Sequence, residues 1–579
     1  MLLQRLKEFA DTRMELPPKL YSPTSVRYII ELDREGRFLG IVDTAEQKGK
    51  AKRGQTFLMP QVNRTYGISP LLLTDKADYV LGIGKEGAKP DRVIAAHKAF
   101  RELLDRCASS TQVPELHAIQ LFLDAHRTDV QLPPEFDPTT FMTFRVDGIL
   151  LTTLAAIQVF WADEHTAGEA DATIMQCVVC GQQRPVLRTL QGVIKGIPGG
   201  QSSGTTIISA NARAFESYGL ENSLIAPTCA DCGERFTKAL NHLLASDQHC
   251  IKIAGMAFVF WTREESGFNF ATALSSPEPE QIKALYQSLY KGTEQSEVDA
   301  SAFYAATLSA SSARAVVRDW LDTTVGAAKQ ALARWFYLQQ IVGERGGIAP
   351  PLSVSWLADA TVRERKDLPV TTMRALVRTA LVGTPLPLSL LYQAVRRSRA
   401  EQGVTRQRAA LIKLVLLSNA SETEERTMVE LDPNHPSSGY RCGRLLAVLA
   451  DIQYNAIGNT AIVDGFYGAA SSAPVAVFGR LVRGAQPHLS KLERDRPATG
   501  RALQQRLEEI LAGLQSFPTT LSLEGQGMFA LGFYHQRAAD RAQMQERMAK
   551  KRADATATAA ATADETDLFA GDTTDDVRF

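Results

Sequence analysis

Two cysteine pairs, "CVVC" at 177–180 and "CADC" at 229–232, constrain this chain more than any other feature. Each is followed by glycine, and a knuckle of that kind turns two thiolates and two turn amides toward one point. For both pairs to serve one ion, two distant segments must fold against each other. The 48 positions 181–228 between them exceed the usual spacing of roughly 15–20 residues, so the insert has to loop out of a ribbon. Seven cysteines in 579 residues do not make a disulfide scaffold; tight pairs suit metal or redox sites in a reducing compartment. A shared structural zinc on Cys177, Cys180, Cys229 and Cys232 is the leading reading, with two unrelated buried thiol pairs or redox chemistry as alternatives. Four thiolates leave zinc no open position for water, so such a site stabilises the fold and does not catalyse.

At about 150 residues per domain, a chain of 579 residues has room for roughly four domains. Its 45% hydrophobic and 22% charged residues are ordinary for globular proteins. The 64 basic residues balance 64 acidic ones, so any case for a nucleic-acid partner must rest on where charge sits. The N-terminal "MLLQRLKEFADTRMELPPKL" reads as a short amphipathic helix without the apolar core or cleavage site of a signal peptide. No stretch approaches the ~20 apolar residues of a membrane span. The expectation is a soluble, cytoplasmic protein with no membrane partner.

Hydrophobic periodicity changes along the chain. "SVRYIIEL" and "FLGIVDT", joined by "DREGR", read as a hairpin; "TFRVDGILL" at 143–151 and "AGMAFVFWT" at 254–262 read as strands. "DRVIAAHKAFRELLDR", with Asp91 as its N-cap, reads as a helix. After about residue 280 strand signals nearly vanish, and segments such as "SARAVVRDWL" at 312–321 and "TTVGAAKQALARWFYLQQIV" have helical spacing. The fold class is therefore an α+β N-terminal half with a zinc-ribbon-like insert, followed by a mainly α C-terminal half ending in a helical bundle. The divisions are 1–280, 281–430, 431–553 and an Ala/Thr-rich acidic tail, 554–579, expected to be disordered.

"GIGKEG" matches GxGxxG at Gly82, Gly84 and Gly87, but "AKP" intervenes before the helix and no acidic strand end follows. It reads as a β-turn rather than a dinucleotide site. There is no phosphate loop, no HExxH and no His-Asp pair of a metal nuclease. Basic residues form three clusters: Lys48, Lys50, Lys52, Arg53 and Arg64; Arg396, Arg397, Arg399, Arg406, Arg408 and Lys413; and Arg480, Arg483, Lys491, Arg494, Arg496 and Arg501. Each alone reads as a solvated face. Three in a neutral protein suit a phosphate track balanced by acidic surface elsewhere. Between the cysteine pairs lies "GVIKGIPGGQSSG", 192–204. Its glycines let backbone approach a ligand, Lys195 adds a charge, and Gln201, Ser202 and Ser203 offer short donors and acceptors for phosphate or a minor-groove edge. A disordered insert is the competing reading.

The order "SVRYIIELDREGRFLGIVD", "NRTYGISPLLLTDKADYVLGIG", "TFRVDG", "IKGIPGGQSSGTTIISANARAFESYG" and "GYRCGRLLAVLADIQYNAIG" resembles the large-subunit family of the type I-C CRISPR Cascade, from about residue 1 to about 520. The resemblance implies a non-catalytic DNA reader in an RNA-guided complex. It would recognise the protospacer-adjacent motif in duplex DNA, aid strand separation and recruit a helicase-nuclease, while base pairing reads sequence. The implied partners are guide RNA, target double-stranded DNA, and the handle-capping, backbone and small subunits. It also implies a separate C-terminal product, for which Met428 is placed to be the start. The four cysteines are not a requirement of that family, so zinc rests on spacing alone. From chemistry, Lys195 and Gln201 to Ser203 are assigned to the motif, Asn63, Arg64 and Tyr66 to a second loop beside the basic Lys50 and Lys52, and Arg396, Arg397 and Arg399 to a strand backbone. The alternative is a zinc-containing nucleic-acid-processing enzyme, for which no carboxylate or histidine set can be assembled.

Overall fold

The computed structural model describes residues 1–15, 17–48, 51–62, 67–125, 131–164, 173–190, 192–290, 297–420 and 428–568. The chain divides into two units. One holds Leu3–Gly192 with Ile208–Ala239, and the other holds Val193–Ile207 with the chain from Leu240 onward.

The first unit is organised around one long strand, β1 (Tyr21–Leu32). Its second half pairs antiparallel with β2 (Phe38–Asp43), from Tyr28 opposite Asp43 to Leu32 opposite Phe38. The "DREGR" turn closes through the Gly36 N–H to the Asp33 carbonyl at 3.1 Å. Gly36 has a φ of +78°, and a Cβ there would strike the Ala118 carbonyl, so the turn needs glycine twice over. After a small hairpin of β3 (Glu46–Lys48) and β4 (Ala51–Arg53), β5 (Gln55–Pro60) pairs with the first half of β1. Next come β6 (Thr74–Lys76), β7 (Phe141–Val146) and β8 (Ile149–Leu150). β7 lies parallel to β1 and antiparallel to β6 and β8. A parallel neighbour needs a long crossover, and the chain between β1 and β7 supplies it with helices Pro90–Thr111 and Pro114–Ala125. Tyr28, Ile30 and Leu32 of β1 and Phe144 of β7 are buried in one core with Phe100, Leu104, Phe122 and Trp161. Each such side chain contributes roughly 1.5–3 kcal/mol on burial. Lys89, not Asp91, is the N-cap of helix Pro90–Thr111; Pro90 occupies its first turn, where the missing N–H costs nothing. "GIGKEG" is a turn, with Gly82 and Gly87 at positive φ.

The second unit begins with a four-stranded antiparallel sheet in the order β11-β12-β13-β14: Cys250–Ile253, Met256–Thr262, Ala302–Ser311 and Arg314–Thr324. The zinc-ribbon-like insert supplies the two intervening strands of the chain count, β9 (Ile174–Gln176) and β10 (Gln183–Pro185). The last strand corrects the helix expected over 312–321. Apolar residues at 315–317, 320 and 321 fit helical and extended spacing alike, but Val316, Val317, Trp320, Thr323 and Thr324 favour strands. β14 pairs with β13 from Ser311–Arg314 to Ala302–Thr324, with a register shift between Thr307 and Leu308. Thr324 then caps helix Val325–Gln339, accepting from the Ala327 N–H at 3.2 Å. Helices Val354–Asp359, Val370–Val382, Leu388–Ala400 and Arg406–Ser418 complete this core.

The terminal bundle comprises Ser438–Ile457, Ala461–Ala470, Pro474–Asp495, Pro497–Ala512 and Leu523–Leu568. The last helix serves two cores: Leu531, Tyr534 and Ala538 pack with the middle helices, Phe529 and Phe533 with the bundle. It continues to Leu568, past residue 554 where an unstructured tail was expected; 569–579 lie outside the described residues. Among the described residues no helix is long and apolar enough to cross a membrane.

Candidate metal centre and glycine loop

The four cysteines meet. Their Sγ atoms all lie within 4.8 Å of one another, which accommodates a tetrahedral ion with Zn–S bonds of about 2.3 Å. The first pair occupies the turn between β9 and β10, where the Gly181 N–H bonds the Cys177 carbonyl at 2.8 Å and Gly181 has a φ of +72°. The second pair opens helix Ala230–Ala245, with Cys229 just before it and Cys232 in its first turn. Helix-start amides and their dipole favour thiolate there. Backbone bonds lock the two together: Val178 N–H to the Pro227 carbonyl at 2.8 Å, Leu187 N–H to the Thr228 carbonyl at 2.9 Å, and a bridge between Val186 and Cys229. The long insert therefore leaves and returns without spoiling the site.

Burial alone would raise the Cys177 thiol, but the amides of Cys180, Cys229 and Val179 outweigh it and bring it down to about 7. Cys229 is held above the ordinary thiol range, first by burial. Burial, the Cys229 thiol and neighbouring thiolate charge push Cys232 well above it. Four thiols at this spacing, three of them buried and Cys180 half-buried, favour a shared cation that deprotonates them together. The donor set fits zinc, which Cys177, Cys180, Cys229 and Cys232 would hold, and an ion whose coordination sphere is filled by four sulfurs would serve the fold rather than catalysis.

The glycine loop is an ordered hairpin, not an open spacer. Ile194 and Thr205 exchange backbone bonds of 2.7 and 2.8 Å, and Thr206 bridges in parallel to Arg314 at the start of β14. Asn241 fixes the first arm, accepting from the Lys195 N–H at 2.8 Å and donating to the Val193 carbonyl at 2.9 Å. Gly204, with φ of +109°, packs so closely on Val193 that a Cβ would come within 2.9 Å of it. These anchors leave Lys195, Gln201, Ser202 and Ser203 all exposed on the outer part of the hairpin. Local sequence did not reveal that Arg314 and Lys252 belong here. The Lys252 ammonium is 3.4 Å from the position of a Cβ on Gly196, and strand pairing alone brings Arg314 to Thr206.

The other assigned residues separate. Lys50, Asn63, Arg64 and Tyr66 lie outside the described residues, and Lys52 is in β4. Arg396, Arg397 and Arg399 sit near the end of helix Leu388–Ala400. Arg396 and Arg399 are exposed, while Arg397 pairs with Glu401. Glu401 also pairs with Arg408, which is only 6% exposed. Burial would raise the Glu401 carboxyl, but the two guanidiniums hold it below the ordinary carboxylate range. Lys413 is interior, its ammonium directed to the Gln340 carbonyl. The apparent track from 396 to 413 is thus partly a folded ion-pair network.

A family model described as CRISPR-associated protein (Cas_Csd1) matches residues 2–540. The search of curated proteins finds no match. With nearly its whole length matched, the chain belongs to the Cas_Csd1 family of CRISPR-associated proteins.

Proposed function

We propose that this protein is the non-catalytic large subunit of a type I-C surveillance complex, and that the hairpin around Gln201 reads the protospacer-adjacent motif in duplex DNA. The observation that carries this reading is the braced loop, which exposes a lysine, an amide and two hydroxyls together. A base reader needs short polar groups on a rigid support, so that discrimination is not spent on ordering the loop. Lys195, with Lys252 beside Gly196, supplies phosphate attraction, and Gln201 to Ser203 supply base-edge contacts. In this reading the chain aids strand separation, recruits the helicase-nuclease, and assembles with guide RNA and the handle-capping, backbone and small subunits. The exposed Arg396 and Arg399 join the strand backbone. A four-thiolate centre, closed to water, supports a structural ion over a zinc enzyme.

The experiment is binding of the guide-loaded complex to duplexes that differ only in the motif. Gln201→Ala should lose ~1–3 kcal/mol of discrimination, whereas Lys195→Ala should weaken motif-bearing and scrambled duplexes alike. Wild-type behaviour in both variants would remove the assignment.

A further inference from the structure

A cavity of about 680 Å³ opens in the terminal bundle between helices Ser438–Ile457, Pro497–Ala512 and Leu523–Leu568. That volume is ordinary for a small-molecule site. Its two carboxylates are already engaged: Asp540 accepts from Arg506 at 2.7 Å, and Asp451 accepts from Asn455 at 3.0 Å. Five cationic side chains share the lining with them, leaving an excess of positive charge. Two of the five, Arg547 and Lys551, make no ion pair among the described residues, and their spacing of four places both on one stripe of the last helix. Beside them, also four apart, run Met544 and Met548, 55% and 49% exposed. Helix Ser438–Ile457 brings Tyr454, likewise 55% exposed, to the same cavity. Large apolar side chains half-exposed beside unpaired cations suit a ligand with a flat apolar part and an anionic part.

We propose that this cavity binds a nucleotide unit, its base against Tyr454 and the two methionines and its phosphate at Arg547 and Lys551. Asn455, Asn459 and Thr460, which also line the cavity, supply donors and acceptors for the base edge. The site is separate from the glycine loop and does not depend on the motif-reading assignment. The nucleotide unit has two sources, a free nucleotide or a single strand.

The test uses the purified full-length protein and a 5′-phosphorylated thymidine dinucleotide carrying one 5-iodouracil, alongside a longer oligothymidylate with the same base. Irradiation followed by peptide mapping should place the crosslink on Tyr454, Met544 or Met548. Tyr454→Ala should lower affinity about tenfold, as loss of a stacked base does, and Arg547→Glu with Lys551→Glu should do so at least as strongly. Those two cations are exposed, so the double variant keeps its fold, checked by its melting temperature. Lys195→Ala and Gln201→Ala should leave dinucleotide binding unchanged, which keeps failure here distinct from failure at the loop. Crosslinking by the dinucleotide alone identifies a free nucleotide, and by the longer strand alone a polymer. No binding of either probe, crosslinks elsewhere, or affinity unaltered by the pocket variants would overturn the proposal.

Discussion

The backbone N–H of Cys229 points to the sulfur of Cys177 across 3.4 Å, joining residues separated by 52 positions. An amide aimed at sulfur is the arrangement that steadies a metal-bound thiolate. Purified protein is expected to carry about one equivalent of zinc, released when a mercurial titrates the thiols. Cys177→Ser should release the metal and make the segment around β9 and β10 susceptible to protease. Less than about half an equivalent of metal, with all four thiols freely reactive, would contradict a shared site.

Helices Ser438–Ile457 and Leu523–Leu568 touch backbone to backbone. A Cβ on Gly443 would run into the Phe529 carbonyl, and one on Gly532 into the Tyr440 carbonyl. Gly443→Ala should therefore destabilise by roughly 1–3 kcal/mol through overpacking, although alanine is the better helix former. Gly484→Ala, in a helix where nothing lies within 4 Å of the added methyl, should instead stabilise by about 0.5–1 kcal/mol. Urea unfolding of both variants separates packing from propensity; equal effects would refute the close approach.

Much of this was legible from residues close in sequence. The β1–β2 hairpin is written in alternating apolar residues around a turn, and the two CxxCG segments specify a common point however long the insert. What stayed hidden depends on pairing across distance. β14 was ambiguous because "ARAVVRDWL" satisfies both periods until β13 selects one. The bracing of the glycine loop by Asn241 and Arg314 has no local signal at all. In the cluster from 396 to 413, residue type alone does not separate exposed charge from buried charge. "AALIKLVLL" places Lys413 inside an apolar run, and that run, buried almost throughout, was the available clue.

Arginines of this cluster should divide by function. Arg408 is 6% exposed and bound to Glu401, so Arg408→Ala should cost roughly 1–3 kcal/mol by emptying the buried space its side chain fills and breaking that pair. Arg396→Ala and Arg399→Ala, both exposed, should change stability by less than about 0.5 kcal/mol. On DNA binding the order reverses: each of these two that meets a phosphate should reduce the salt-dependence slope by about 1. Slopes unchanged in both variants would confine them to the solvated surface.

Lys413 gives the fold a pH dependence of defined sign. Burial lowers its amine from the ordinary lysine value of 10.5 to about 7, while its Nζ reaches the Gln340 carbonyl at the end of helix Val325–Gln339. Between about pH 7 and 10.5 the unfolded chain holds a proton that the folded chain has shed. Unfolding then takes up a proton, so this group makes stability rise with pH across that window and has no further effect below it. Lys413→Met removes the titrating group and keeps an unbranched side chain of similar length. The variant should gain most over wild type near pH 7, with the difference shrinking as pH approaches 10. Denaturant midpoints of the two proteins at pH 7, 8.5 and 9.5 provide the comparison, and a constant difference across the series would mean that the buried amine does not titrate in this range.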